Sequence, residues 1–107
     1  RWKVENKMAW KTQFTETRPS TSVNFYLASD DAKNHIQTTY RNTGKMTSRN
    51  SVLSGDNLKR TRTLIFNSEA SRAEYILDSV ITNIRNSRTT HNTSNNITLV
   101  IDFDGEE

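Results

Sequence analysis

The chain has 107 residues, 32% of them hydrophobic, and a formal net charge of +3, so it has room for one domain built around one small core. It contains no cysteine, which excludes disulfides, thiolate nucleophiles and zinc–thiolate sites. It has neither a run of about 18 apolar residues nor an apolar signal-peptide segment near residue 1, so we expect a chain that neither spans a membrane nor is exported.

The first seven residues precede Met8, which is a candidate native start, and we expect residues 1–7 to be an extension that packs marginally against the domain. Trp2 lies within this extension. A large, rigid aromatic side chain at such a place suits an exposed anchor that docks on a neighbouring molecule. We therefore count Trp2 among the candidate interaction residues.

Residues 9–17 alternate in character, which predicts a half-buried β-strand. Its inner face would carry Trp10, Thr12, Phe14 and Glu16. Pro19 ends the strand because proline cannot donate to a sheet ladder and keeps its predecessor extended. Residues 22–27 alternate again and fit either a short strand or an extended approach to the next helix.

A first helix is predicted to begin after Ser29. The Ser29 side chain suits a helix N-cap, and the two aspartates that follow favour the positive end of the helix dipole. The helix has a narrow apolar stripe at spacings of four, formed by Ala32, Ile36 and Tyr40. Gly44 tolerates a positive φ and is expected to end it.

Residues 45–66 are predicted to form a β-hairpin, because extended-type residues flank the turn sequence Ser54-Gly55-Asp56-Asn57. The second arm favours strand structure more strongly, with Leu64 and Phe66 on one face. The hairpin is also basic, since it carries Arg49, Lys59, Arg60 and Arg62.

A second helix is predicted to begin at Asn67 or Ser68 and to end within residues 89–96, a polar stretch rich in asparagine. Its apolar residues recur with helical spacing over three turns: Ala73, Ile76, Leu77, Val80, Ile81 and Ile84. This pattern predicts one continuous amphipathic helix with a buried stripe.

The last strand is predicted over residues 97–103, followed by a frayed acidic tail at 104–107. Its apolar residues Ile97, Leu99, Ile101 and Phe103 are expected to face one way. The predicted order is strand, helix, strand, strand, helix, strand across residues 1–107. That order matches an α+β ferredoxin-like split βαβ sandwich, one antiparallel sheet with two helices on one face.

No residue pattern predicts a catalytic, cofactor or metal site. Asp31 and His35 are four residues apart on the first helix and suit an ion pair on its surface, whereas His91 is expected in the solvated Asn-rich loop. The isolated glycines do not form a phosphate-binding loop. We therefore predict no catalytic residue, no cofactor and no metal ion.

Charge is separated along the chain, since four of the twelve acidic residues lie in the last six positions. A basic body with an acidic end suits an acidic partner, a nucleic acid or a second copy of the chain. The candidate interaction residues are Trp2, Arg49, Lys59, Arg60, Arg62, Asp102, Asp104, Glu106 and Glu107.

Residues 43–103, including TGKMTSR, RTLIFNSEASRAEYILDSVI and ITLVIDF, resemble small proteins of tailed, marine cyanophage-like bacteriophages. The resemblance implies a virion component, such as a capsid decoration, neck or tail accessory protein. The element order is also similar to that of the dimeric α/β-barrel families, although the histidine that binds haem or substrate there has no match in this chain.

Three function hypotheses follow. The first is a non-enzymatic structural or assembly protein, which associates with other virion proteins or with copies of itself; it would be located in the virion if the chain is phage-derived and in the cytoplasm otherwise. The second is a basic protein that binds single-stranded nucleic acid through the hairpin. The third is a small dimeric α/β-barrel enzyme.

Overall fold

Four strands and three α-helices make up residues 8–107, the part of the chain that the computed structural model describes. The strands are β1 (Trp10–Thr17), β2 (Met46–Leu53), β3 (Lys59–Phe66) and β4 (Thr98–Glu106). The helices are α1 (Asp30–Ile36), which continues as a π-helical turn over Gln37–Arg41, α2 (Glu69–Leu77) and α3 (Ser79–Asn95). The predicted α+β class is confirmed. Trp2 and the rest of the expected extension lie outside the described residues.

The strands form one open sheet in the order β2-β3-β1-β4, with every neighbouring pair antiparallel. β1 and β3 occupy the centre, while β2 and β4 are the edge strands. The predicted hairpin is confirmed as the β2–β3 pair, and its turn places Asn57 at a φ of 62°. None of the helices in residues 8–107 combines the length and the apolar character that crossing a bilayer requires.

The core lies between the helices and one face of the sheet. It contains six buried side chains, from the sheet Met46, Leu64 and Phe66, and from the helical elements Ile36, Tyr40 and Ile81. Trp10, Tyr75 and Ile84 pack against this cluster. The predicted alternation of β1 is confirmed, since Phe14 and Glu16 are buried on the helix-facing side while the residues between them are not.

α1 begins and ends as the sequence indicates. The Ser29 hydroxyl accepts a hydrogen bond from the Ala32 amide at 3.2 Å, which confirms it as the N-cap. After the π-helical turn the chain reverses at Gly44, whose φ is +79°, a left-handed conformation that glycine adopts readily. Residues 22–27 are the extended approach to α1 and form no strand.

The prediction of one continuous second helix is wrong, because the helix is interrupted at Asp78. This residue is extended, with a ψ of 128°, and its carboxylate caps α3 by accepting from the Val80 amide at 2.8 Å. The break rotates the two halves of the expected stripe apart. Ile81 is 1% exposed, whereas Leu77 is 82% exposed and lies outside the core.

The expected loop around His91 is also corrected, because α3 continues to Asn95 and His91 lies within it. The helix ends where Asn96 adopts a left-handed φ of 57°, one of the conformations that asparagine tolerates best. The amide of Ile97 then donates to the Asn92 carbonyl at 2.9 Å. Asn96 therefore ends the helix, while Asn92 and Asn95 remain within it.

β4 departs from the prediction in two ways. A bulge at Asp102 shifts its register against β1, so Ile101 pairs with Phe14 and Phe103 pairs with Gln13 on the opposite face. The expected common face of Ile101 and Phe103 is therefore wrong. Residues 104–106 are not frayed but continue the strand, and the Glu107 amide donates to the Ala9 carbonyl at 2.9 Å.

Candidate functional site

The basic residues of the hairpin do not share one surface. On β3, Lys59 points to the open face of the sheet, whereas Arg60 and Arg62 point to the helices, because successive side chains of a strand alternate. Arg49 on β2 also faces the helices, since a register shift between Met46 and Ser48 places it opposite Leu64. Lys59 is thus separated from the three arginines by the sheet itself.

Arg60 is part of a buried polar network. Its guanidinium donates to one carboxylate oxygen of Glu16 through Nη2 at 2.6 Å and Nε at 3.2 Å. The other oxygen of Glu16 accepts from Asn92 Nδ2 at 3.1 Å. Arg60 also donates to the Tyr26 carbonyl at 3.1 Å and stacks on the ring of Phe25. With Glu16 0% exposed, this network holds β1, β3, α3 and the segment before α1 together.

Arg62 and Arg49 lie instead at a cavity of about 290 Å³ between the sheet and the helices. Three arginines of the helices complete its cationic lining, Arg72 of α2 and Arg85 and Arg88 of α3. The rest of the wall is largely apolar and aromatic, and includes Phe14, Leu64, Tyr75, Ile81 and Ile84. The cavity therefore has a largely apolar wall that also carries five arginine side chains.

Burial sets the electrostatics of this cavity. Burial, together with repulsion by Arg60 and Arg49, lowers the pKa of Arg62 to about 10. Burial also lowers the pKa of Arg88 and raises the pKa of Tyr75. Both arginines remain protonated at neutral pH while Tyr75 remains neutral, so the cavity is positively charged.

The acidic residues at the end of the chain are held against the sheet. On the helix-facing side Asp104 accepts from Trp10 Nε1 at 2.8 Å, from the Thr12 hydroxyl at 2.9 Å and from Arg72 at 2.6 Å. On the open face Asp102 accepts from the Thr15 hydroxyl at 2.6 Å. The remaining acidic residues of this end, Glu106 and Glu107, are exposed.

The two edge strands expose apolar side chains. Val52 and Leu53 of β2 are 60% and 50% exposed, and Val100 and Ile101 of β4 are 60% and 56% exposed. Phe103 stands on the open face, with the Lys11 ammonium 5.8 Å from the centre of its ring. Within residues 8–107 no further strand pairs with the outer side of either edge. In the described part of the chain both edges therefore carry backbone groups without a strand partner, beside apolar side chains.

The histidines take structural positions. His35 Nε2 lies 2.6 Å from Asp78 Oδ2, which also accepts from the Tyr40 hydroxyl at 2.7 Å. The partner of His35 is therefore Asp78, the N-cap of α3, and the expected pairing with Asp31 is wrong. Burial opposes ionisation of Asp78, but the hydrogen bonds from His35, Tyr40 and the Val80 amide lower its pKa. His91 Nε2 lies 2.7 Å from the Asn24 carbonyl.

Within residues 8–107 no group of three or more histidine, aspartate or glutamate side chains is placed to hold a metal ion.

The cavity residues that the sequence did not indicate are Arg72, Arg85 and Arg88. A signal for Arg88 exists, because it continues the stripe of α3 four residues after Ile84 and seven after Ile81. Its long aliphatic stem lets a charged residue lie on that same stripe.

Comparison with known proteins adds no relative: no protein-family model matches the chain, and no curated protein matches it significantly. The functional evidence is therefore the geometry of the chain itself.

Proposed function

We propose that the protein is a non-enzymatic assembly subunit, and that β4 of one copy pairs with β2 of the next. The observation that carries this proposal is the match between the two edges of the sheet in direction, side chains and charge. Exposed edge strands are templates for pairing with another chain, and strand addition at an edge is a common mode of protein recognition.

Strand direction favours this pairing. β2 is antiparallel to β3, β3 is antiparallel to β1, and β1 is antiparallel to β4. β2 and β4 therefore run in opposite directions. A second copy in the same orientation would continue the sheet with an antiparallel pair and keep its helices on the same side.

The side chains of the two edges match at the levels of Val52 and Leu53, whereas Ile101 and Phe103 lie level with the polar Ser51 and Asn50. Following the pairing from strand to strand, Val52 lies at the level of Val100, and both point to the open face. Leu53 lies at the level of Leu99 on the helix-facing side. If the sheet continues without offset between copies, these residues become apolar cross-strand pairs, each worth roughly 0.2–1 kcal/mol.

Charge favours the joining of unlike edges. β4 carries Asp102, Asp104 and Glu106 and no basic residue, whereas β2 carries Arg49 and no acidic residue. Arg49 lies at the level of Asp104. Two β4 strands paired with each other would bring like charges together, which opposes a symmetric dimer through that edge.

We also infer that the fold is the ferredoxin-like split βαβ sandwich, because element order and strand order both agree with it. Head-to-tail joining of such sheets gives a ring if the rotation between copies closes, and a helical filament if it does not. Both suit a virion component such as a decoration, neck or tail accessory protein, the setting that the phage resemblance of residues 43–103 implies.

The nucleic-acid hypothesis has less support. An open sheet face that binds single-stranded RNA needs cations beside exposed aromatic rings. Of the hairpin cations, Arg60 is bonded to Glu16, and Arg62 and Arg49 lie on the helix-facing side. The open face keeps Lys59 and Lys11, with Phe103 as its aromatic residue in the described sheet.

A complementation experiment tests the pairing. Val52→Lys blocks the β2 edge and Val100→Lys blocks the β4 edge, and neither change disturbs the core because both side chains are largely exposed. Analytical ultracentrifugation should find each variant monomeric at concentrations where the unmodified chain forms larger species. An equimolar mixture should form a 1:1 dimer and nothing larger, since each variant keeps one complementary edge.

Leu77→Lys is the matched control, because Leu77 is equally apolar and 82% exposed but lies on no strand. It should assemble like the unmodified chain. A monomeric unmodified chain at all concentrations would refute the assembly role. Dimers formed by one edge variant alone would instead show a symmetric interface through its unblocked edge and refute head-to-tail joining.

A further inference from the structure

The cavity between sheet and helices holds more positive charge than the side chains of residues 8–107 neutralise. Five arginines line it, against one carboxylate, that of Asp104. Asp104 pairs with Arg72. Among residues 8–107, Arg49, Arg62, Arg85 and Arg88 form no ion pair with a carboxylate. Arg49, Arg62 and Arg88 are partly buried and Arg85 is exposed, so an anion in the cavity would offset the cost of partly burying the first three.

Several contacts hold the arginines in place. Arg72 is fixed by Asp104 at 2.6 Å and lies over the Trp10 ring, and its Nε is buried without an acceptor in the described part of the chain. The Arg88 guanidinium stacks on the Phe14 ring, 4.7 Å from its centre. Stacking restricts the plane of a guanidinium while leaving its N–H edges able to donate. The guanidinium groups of Arg72 and Arg88 are therefore oriented and can donate hydrogen bonds to a ligand in the cavity.

The chemistry of the donors selects the ligand class. Guanidinium groups bind phosphate oxygens through paired N–H donors, and several of them together favour a multiply charged phosphate. The apolar and aromatic part of the wall, including Tyr26 and Tyr75, suits a flat organic group. The volume of about 290 Å³ is near the lower end for small-molecule sites, about 300–1,000 Å³.

We propose that this cavity binds a small organic phosphate, a nucleoside phosphate or a molecule of similar chemistry, with its phosphate group among Arg62, Arg72 and Arg88. The cavity forms within one copy and the proposal needs no second copy, although Arg49 and Asp104 belong both to its lining and to the edges that assembly would join. Binding supplies the missing counter-charge, so the occupied protein is more stable than the empty one.

Thermal unfolding with added ligand tests this site. The probes are inorganic phosphate, pyrophosphate, ATP and a short single-stranded oligonucleotide, each compared with sodium chloride at the same ionic strength. We expect saturable rises in Tm with pyrophosphate and ATP, and ³¹P line broadening of the same ligands. Inorganic phosphate alone should act more weakly, because it carries less charge and has no flat group for the apolar wall.

Arg62→Gln and Arg88→Gln should each weaken ATP binding at least tenfold. Arg85→Gln should weaken it severalfold, and because Arg85 is exposed this variant keeps the test valid if a buried substitution prevents folding. Lys59→Gln is the matched control, with the same loss of charge on the opposite face of the sheet, and should bind like the unmodified chain.

Three results would overturn the proposal. They are a rise in Tm that sodium chloride reproduces, ATP binding that survives all three cavity substitutions, and binding of the oligonucleotide alone with loss in the Lys59→Gln variant. The last result would move the phosphate site to the open face of the sheet and revive the nucleic-acid hypothesis.

Discussion

Arg60 and Arg62 lie two residues apart on the same face of β3, yet their surroundings are opposite. Arg60 is 6% exposed and bonded to a carboxylate that is itself completely buried. Arg62 is partly buried and faces the cavity, and burial together with repulsion by Arg60 and Arg49 lowers its pKa. Arg60 forms a hydrogen-bonded ion pair with Glu16, whereas Arg62 forms no ion pair among residues 8–107. The contrast distinguishes a cation whose role is structural from one that the proposed phosphate site would use.

The largest effect should come from removing the partner of Arg60. Glu16→Ala leaves a buried guanidinium without counter-charge and also removes the acceptor of Asn92, so we expect a loss of about 3–5 kcal/mol in the free energy of unfolding. Urea denaturation measures it. Glu106→Ala is the control, since Glu106 is exposed on an edge strand. A change below about 1 kcal/mol would mean that the network does not hold the sheet to α3.

The two arginines also show which parts of this site can be predicted from the sequence and which cannot. Alternation correctly placed Glu16 on the inner face of β1, because burial on one face of a strand imposes a period of two. It gave no sign that Arg60 would be the partner, since that depends on the register of β1 against β3. The sequence grouped Arg60 and Arg62 with Lys59 and Arg49 as one basic hairpin, and only tertiary contacts distinguish them.

The errors in secondary structure share a physical origin. Asp78 has an acceptable helical neighbourhood, but its carboxylate gains the Val80 amide, the Tyr40 hydroxyl and His35 when the backbone is extended. Tyr40 and His35 lie more than thirty residues away in sequence, whereas Val80 is local. Likewise the bulges in β2 and β4 reflect pairing with central strands. Local propensity cannot contain either cause.

The next largest effect should come from Asp78, a partly buried carboxylate with three hydrogen-bond partners. Asp78→Asn should cost about 1–2 kcal/mol, the range for losing a cap and charge-assisted hydrogen bonds. Because folding lowers the pKa of Asp78 below its usual value of 3.8, its contribution is present above about pH 4 and is lost as the pH falls further. Urea denaturation from pH 6 to pH 2.5 should show the two proteins converging in acid. A constant difference would mean that the Asp78 charge is irrelevant.

A smaller effect of opposite sign should come from Arg62. Replacing it with methionine keeps the length and apolar character of the side chain and removes an unpaired cation, so we expect a gain of about 1 kcal/mol without added phosphate. Arg60→Met is the matched comparison and should lose stability, because it leaves Glu16 buried and uncompensated. Equal effects of the two substitutions would show that Arg60 and Arg62 do not differ in the way the contacts indicate.

The smallest effect should come from the third cation of the strand. Lys59 points to the open face, is exposed, and uses its backbone amide, which donates to the Ser54 hydroxyl at 3.0 Å, to close the hairpin. Lys59→Ala keeps that amide, so the free energy of unfolding should change by no more than about 0.5 kcal/mol. Three neighbouring basic residues would then give a large loss, a gain and no change for Arg60, Arg62 and Lys59 respectively. A loss above about 1 kcal/mol for Lys59→Ala would mean that exposure and contacts do not determine how much each cation of β3 contributes to the free energy of unfolding.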